Sequence, residues 1–206
     1  MKVYVVEGNI GSGKSTFLNE LLKKEPHLTI IQEPVEQWYT IQDDEGVSVF
    51  THFYNDPHKY SFMFQINVLA SRMRAINEAR KNNPDGILVF ERSIMTDQSI
   101  FVPTLRQNGT LSSIESQVFD TMYETIVPML DFKTDGIIYL RCDPKTSHER
   151  MRARNRAGEE CVPIEYLTAL HDRHEAWLMH ESAIPVLVVD NNSDLVVDDA
   201  CTFLTR

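Results

Sequence analysis

Gly8-Asn9-Ile10-Gly11-Ser12-Gly13-Lys14-Ser15-Thr16 matches the phosphate-binding loop pattern G-x-x-x-x-G-K-[ST] at every fixed position. On one side lies Lys2-Val3-Tyr4-Val5-Val6-Glu7, a short β-branched and aromatic run of strand type. On the other, Phe17-Leu18-Asn19-Glu20-Leu21-Leu22 continues with helical spacing. A glycine-rich turn between strand and helix lets backbone N–H groups converge on an anion, and the positive end of the helix dipole adds to their field. From such a loop Lys14 can reach the β- and γ-phosphates of a nucleoside triphosphate, and Ser15 can offer its hydroxyl to Mg²⁺.

Outward from the loop, Leu28–Gln32 reads as a second strand running into Glu33-Pro34. A residue before proline is pushed out of the helical region, so Glu33 is expected extended at the strand's exit. In an open parallel sheet ligands bind at the carboxyl ends of strands, which makes Glu33 a candidate general base. A solvated carboxylate at a turn is the plainer alternative. Ile87-Leu88-Val89-Phe90 is an apolar run of buried-strand type that delivers Glu91-Arg92-Ser93 at the same rim. Adjacent buried charges of opposite sign are hard to explain by packing alone. Residues 136–141 and 185–190 supply two more strands. Strands alternating with helices predict an α/β fold, a five-stranded parallel sheet with right-handed crossovers.

The segments between the strands carry further signals. Residues 40–59 look polar and irregular, with Tyr54-Asn55-Asp56-Pro57 as a turn. A helix follows over 60–81, where Gln65 and Arg72 stand seven residues apart and so project on one side. An amide and a guanidinium so placed could read a base edge, or could be ordinary surface or core groups. Helices are expected over 94–107, 112–130 and 162–181, and another opens at Asp143-Pro144. His171, His174 and Glu175 do not form the HExxH zinc motif and are expected on a helix surface. Asp194 is expected to cap a closing helix that runs to Leu204.

Arg150, Arg152, Arg154 and Arg156 occur at every second position. The pairs 150/154 and 152/156 share helical faces, where like charges repel unless an anion is present. This reads as a flap over about 150–160 that clamps polyphosphate. The alternative is a solvated helix neutralised by Glu149, Glu159 and Glu160.

The chain has 206 residues, enough for one domain, and a formal net charge of −10. That charge argues against a broad electrostatic grip on nucleic acid. Its three cysteines form no CxxC and read as reduced thiols. No stretch approaches the ~18 consecutive apolar residues of a membrane span. The first residues run straight into a strand, without the look of a signal or transit segment.

Taken together the motifs resemble the deoxynucleoside kinase family of phosphate-loop enzymes: GNIGSGKST (8–16), EPVEQW (33–38), Tyr54 with DP behind it, FQ (64–65), ERSIMTD (91–97), RMRARNR (150–156) and EECVPIEYLTALHDRHEAWL (159–178). The resemblance spans nearly the whole chain. It implies the phosphate-loop kinase fold as one domain over residues 1–206, with an arginine-rich LID, and transfer of the ATP γ-phosphate to a deoxynucleoside 5′-hydroxyl. By similarity Glu33 is the general base, with Arg92 beside it. Tyr54 and Glu159 contact the sugar, with Glu160 a rival for that place. Gln65 pairs with the base, and Trp38, Phe64 and Phe101 give apolar and stacking surface. Ser15 and Glu91 serve Mg²⁺, and the flap arginines neutralise the transferring phosphoryl group. A homodimer through helices near 60–80 and 94–130 is implied by family, while the expectation of a cytoplasmic setting comes from the leaderless look of the first residues. Arg72 and Asp97 fall where deoxycytidine and purine kinases carry an Arg–Asp pair, which favours deoxyadenosine, deoxyguanosine or deoxycytidine over thymidine. A thymidylate-kinase-like enzyme is the rival, but Glu33 would repel the phosphate of a monophosphate acceptor.

Overall fold

The computed structural model describes residues 1–130, 132–193 and 196–205. Strands β1 (Lys2–Glu7), β2 (Thr29–Ile31), β3 (Ile87–Glu91), β4 (Gly136–Arg141) and β5 (Val186–Asp190) form a sheet in the order β2-β3-β1-β4-β5. Every neighbouring pair is parallel, and in the centre Val5 stands opposite Phe90 on one side and Ile137 on the other. The period-2 alternation of β1 divides the core in two. Val3 and Val5 pack with Phe64, Leu69, Ile76 and Leu170, whereas Tyr4 and Val6 pack with Phe17, Leu18, Leu21 and Leu204. Helices α4 (Pro57–Asn82) and α8 (Ile164–Ala176) therefore cover one face, and α1 (Lys14–Lys24) and α9 (Asp198–Leu204) the other. A sheet buried on both faces needs apolar residues at successive positions, which is why its central strands read as unbroken apolar runs.

Several segments depart from the sequence reading. Residues 40–59 are not all irregular: Ser48 caps a helix α3 (Val49–Asn55), its hydroxyl accepting from the Thr51 N–H at 3.1 Å. Between β2 and α3 a short helix α2 (Val35–Trp38) intervenes, and α4 begins at Pro57 with Asp56 as its cap. The expected helix over 94–107 is a π-helical turn (Asp97–Phe101) followed by α5 (Val102–Gln107). Next, α6 (Ser113–Ile126) opens with a Ser112/Glu115 capping box, and Pro128 falls in the 3₁₀ turn after it (Val127–Leu130). Helix α7 (Pro144–Arg154) ends at Asn155, whose φ of 50° is the left-handed conformation asparagine tolerates. A π-helical turn (Trp177–Glu181) completes α8. The expected cap Asp194 lies outside the described residues, and Val197 stands before α9. His174 is not a surface group. It is buried, its ring stacks on Tyr139 at 5.9 Å, and its Nδ1 lies 2.6 Å from the Leu170 carbonyl. Burial first, then the nearby Arg92 charge, drive its pKa down to about 3 and keep it neutral.

Candidate active site

The loop after β1 is built for close approach. Gly13 stands before α1 at φ 89°, and Gly11 at φ 77° lies so near α7 that an added Cβ would sit 2.1 Å from the Ser147 carbonyl oxygen. Asn9 ties the loop to α8 by donating Nδ2–H to the Leu167 carbonyl at 2.8 Å, and its Oδ1 accepts from the Ile10 N–H. From beyond β5, Asn191 Nδ2 donates to Ser12 O at 2.6 Å. Lys14 folds back over the loop, its ammonium donating to Asn9 O at 2.8 Å and Gly8 O at 3.2 Å. Burial, and then Arg92, hold its pKa down at about 7 against the pull of Glu91, Glu33 and Glu7. Thr16 continues α1 behind Ser15.

The exits of β2 and β3 bring Glu33, Glu91 and Arg92 to this loop, into one cleft with Gln65, Arg72 and Asp97. Glu33 Oε1 accepts from Arg72 Nη2 at 2.7 Å and lies 3.4 Å from Arg92 Nε. Burial pushes the Glu33 pKa up, but Arg72, Arg92 and Lys14 outweigh it and hold the carboxyl at about 2. Arg72 Nε also donates to Asp97 Oδ2 at 3.1 Å. Burial is stronger than this pairing at Asp97, which rises to about 6 with help from Glu33 and Glu7. Arg92 has φ 63°, an uncommon backbone for a side-chain-bearing residue, while its N–H donates to Val6 O at 2.9 Å. Its guanidinium stands 5.0 Å from the Phe101 ring centroid. The π-helical turn thus faces Asp97 toward Arg72 and Phe101 toward Arg92.

The sequence reading missed Glu7. This fully buried carboxylate accepts from the Ser93 N–H at 2.8 Å and the Thr96 hydroxyl at 2.7 Å, pinning the β3 exit to the start of the phosphate loop. Its only signal was a charge at the end of an apolar strand. Phe50, Phe53 and Tyr166 also line the cleft unannounced. Trp38 packs against Phe64 edge-on at 5.4 Å and against Phe50 at 5.9 Å, with its indole N–H given to Ser71 Oγ. Two buried acceptors at this end, Gln65 Oε1 and Asp97 Oδ1, have no partner among the described residues. Tyr54 is in the same wall, its phenol pushed up in pKa by burial and by Glu159.

The structure does not gather the four arginines of the flap. Arg154 and Arg156 line the cleft and pair with buried Glu159 at 2.7 Å and 3.5 Å. Arg152 lies on the outer side with Glu160, and Arg150 turns back toward the end of β5, donating to Asn191 O at 2.7 Å. Glu160 is exposed and accepts from the Gly158 N–H, so Glu159 is the glutamate in the cleft.

Ser15 Oγ donates to both oxygens of Glu91, at 3.1 Å and 3.0 Å. Among the described residues no cluster of three metal-ligating acids, histidines or cysteines exists. One hydroxyl and one carboxylate beside a phosphate loop are the hard-oxygen donors Mg²⁺ takes when substrate phosphates and water complete its shell.

A parallel sheet, a phosphate loop at its centre and a carboxylate across the cleft define a phosphate-loop kinase. The family profile described as deoxynucleoside kinase matches residues 4–203. The probable deoxycytidine kinase of fowlpox virus is 34% identical over 197 residues, covering 94% of this chain and 80% of its own length. Mouse deoxycytidine kinase is 32% identical, covering 94% and 85%. Human mitochondrial thymidine kinase 2 is 31% identical, covering 91% and 70%. The chain belongs to the deoxynucleoside kinase family, and it is an enzyme of nucleoside phosphorylation.

Proposed function

We propose that the chain phosphorylates deoxycytidine, deoxyadenosine or deoxyguanosine in preference to thymidine, with Mg-ATP as donor. The observation that carries this reading is the pair of unpartnered buried acceptors, Gln65 Oε1 and Asp97 Oδ1, beside Arg72 at the aromatic end of the cleft. An unpaired buried acceptor costs stability that an N–H donor restores. Cytosine and adenine carry an exocyclic amine beside a ring acceptor and guanine an amine beside a ring N–H, whereas thymine has only its N3–H between two carbonyls and brings a methyl group toward a guanidinium.

In this reading Trp38 and Phe64 flank the base, with Phe101 backing Arg92, and Tyr54 with Glu159 holds the sugar 3′-hydroxyl. The 5′-hydroxyl gives its proton to Glu33. O5′ bonds to the γ-phosphorus, the bond from that phosphorus to the β–γ bridging oxygen breaks, and its electron pair leaves with ADP. Lys14, the loop N–H groups from Gly8 to Ser15, Arg92, Arg154 and Arg156 hold and neutralise the phosphoryl oxygens. Arg150 stands against the loop, its Nη1 4.0 Å from where a Cβ on Gly13 would sit, and acts on the donor phosphates there, while Arg152 acts at the outer part of the flap. Ser15 and Glu91 would hold Mg²⁺, which supplies charge to the β- and γ-phosphates when bound.

The chain acts as a homodimer in the cytoplasm. Ile114 and Val118 on α6, exposed at 75% and 43%, supply an unpaired apolar strip for the partner. Among the described residues no helix is long and apolar enough to cross a membrane, and the three cysteines are free thiols, as a reducing compartment keeps them. Cell fractionation tests the compartment. Steady-state rates on the four deoxynucleosides test the reaction. Turnover of the three amine-bearing substrates well above thymidine is expected; thymidine as best substrate sinks the base preference, and turnover only on a monophosphate sinks the proposed acceptor.

A further inference from the structure

Arg72 serves two carboxylates that the reaction gives different work. Its Nη2 is 2.7 Å from Glu33 Oε1 and its Nε 3.1 Å from Asp97 Oδ2. The three side chains are 5%, 13% and 0% exposed. Arg92 reaches the same Glu33 oxygen from 3.4 Å, so Arg72 is the nearer partner. A carboxylate can take a proton only with the basicity its ion pairs leave it, and in a closed cleft a guanidinium at hydrogen-bond distance removes much of that. The residue in position to accept the 5′ proton is thereby restrained by the residue in position to read the base.

Resting on the function proposed above, we infer that Arg72 is a latch on Glu33, released when a nucleobase draws its guanidinium toward the Gln65–Asp97 end of the cleft. The groups between which Arg72 would move are both within its reach, Glu33 through Nη2 and Asp97 through Nε. At the reading end, Gln65 Oε1 and Asp97 Oδ1 stand without donors among the described residues, ready for a base amine. The ring or carbonyl acceptor beside that amine takes an N–H from Arg72, and Nη2 leaves Glu33. Arg92 stays to orient the carboxylate, which then accepts the 5′ proton as O5′ bonds to the γ-phosphorus and ADP departs. Base identity is thereby read in kcat as well as in KM. A nucleoside with the wrong edge occupies the sugar site and leaves Glu33 latched.

The test uses an acceptor without a base, 1,2-dideoxyribose, beside deoxycytidine. Arg72→Met removes the latch but strands a buried carboxylate, so Arg72→Met/Asp97→Asn is made as well, with thermal melts to establish folding. The wild type is expected to turn over the abasic sugar far more slowly than deoxycytidine. In a folded variant the abasic kcat rises about fivefold or more, part of the general-base contribution being restored, while kcat on deoxycytidine falls. A purely base-binding Arg72 leaves the abasic kcat unchanged, and one that supports Glu33 lowers it. Either result overturns the latch.

The wild type alone supplies a second readout. Glu33 faces Arg72 from α4, Arg92 from the β3 exit and Lys14 from α1, all cationic in acid, and beyond Arg72 the carboxyl of Asp97 from the π-helical turn, raised to about 6 by burial. Because Asp97 also titrates in the free protein, the comparison is made between bound states: the acid limb of kcat with deoxycytidine is expected at higher pH than that of kcat with the abasic sugar, whose complex keeps Glu33 latched. Coincident limbs overturn the latch. A wild type that phosphorylates no deoxynucleoside overturns the function and the latch with it, a result distinct from phosphorylation with coincident limbs.

Discussion

Glu33 is ionised because of its neighbours, so its substitution should be felt in stability as well as in rate. Its pKa is about 2 when folded, below the ordinary 4.5 of an exposed glutamate. The folded state therefore binds fewer protons, and the stability Glu33 contributes is present above pH 4.5 and lost as pH falls toward 2. Glu33→Gln should unfold more easily than wild type at pH 7, by on the order of 3 kcal/mol, with the gap closing in acid. Chemical denaturation at a series of pH values checks this. The same variant should lose about 10²- to 10⁴-fold in kcat, as removal of a general base does, while still binding ATP in a fluorescence titration. At Gly11 the constraint is steric. Gly11→Ala would put its Cβ 2.1 Å from the Ser147 carbonyl in a left-handed backbone. Loss of ATP binding by calorimetry, with a lowered melting temperature, is the expected outcome.

At the scale of elements, regular segments were easier to read than the places where they are interrupted. β1, β3 and β4 were legible because strands buried on both faces must be apolar throughout, and Glu33, Glu91 and Arg92 were legible because strand exits point to ligands. The π-helical turn at Asp97–Phe101 was not, since one extra residue in a helical turn leaves the apolar spacing almost intact while rotating the side chains beyond it. Nor was α3, whose short span carries too few periodic positions against the polar residues before it. Burial of His174 depends on Tyr139 from another element, which no local pattern reports. The α6 capping box, by contrast, is a local device. Ser112→Ala should cost about 1 kcal/mol. That is a fall in melting temperature of about 2–4 °C for a chain of this size, readable by calorimetry.

For the whole molecule, assembly is the property least open to a single sequence, because an exposed apolar residue is ordinary until several share a face. Ile114, Gln117, Val118, Thr121 and Met122 line one groove on α6. Ile114→Asp/Val118→Asp is therefore expected to sediment as a monomer where the wild type sediments as a dimer. A wild type that already sediments as a monomer sinks the homodimer. Family membership, on the other hand, was legible from the order and spacing of the motifs, because the sheet brings residues 8–16, 33–38 and 91–97 to one rim.

The backbone at Arg92 also bears on the history of the chain. A side-chain-bearing residue at φ 63° costs roughly 1–2 kcal/mol that glycine would not. The buried guanidinium adds to this, because its Nη1 has no hydrogen-bond partner among the described residues. Glycine would relieve that backbone and could still donate its N–H to Val6, but it would take from Glu33 one of the two guanidiniums nearest it and from Phe101 its cation. The chain has thus kept a strained residue that a buried carboxylate needs. Arg92→Gly should melt below the wild type at pH 7, with the gap narrowing in acid as Glu33 takes up its proton, which thermal melts at a series of pH values check.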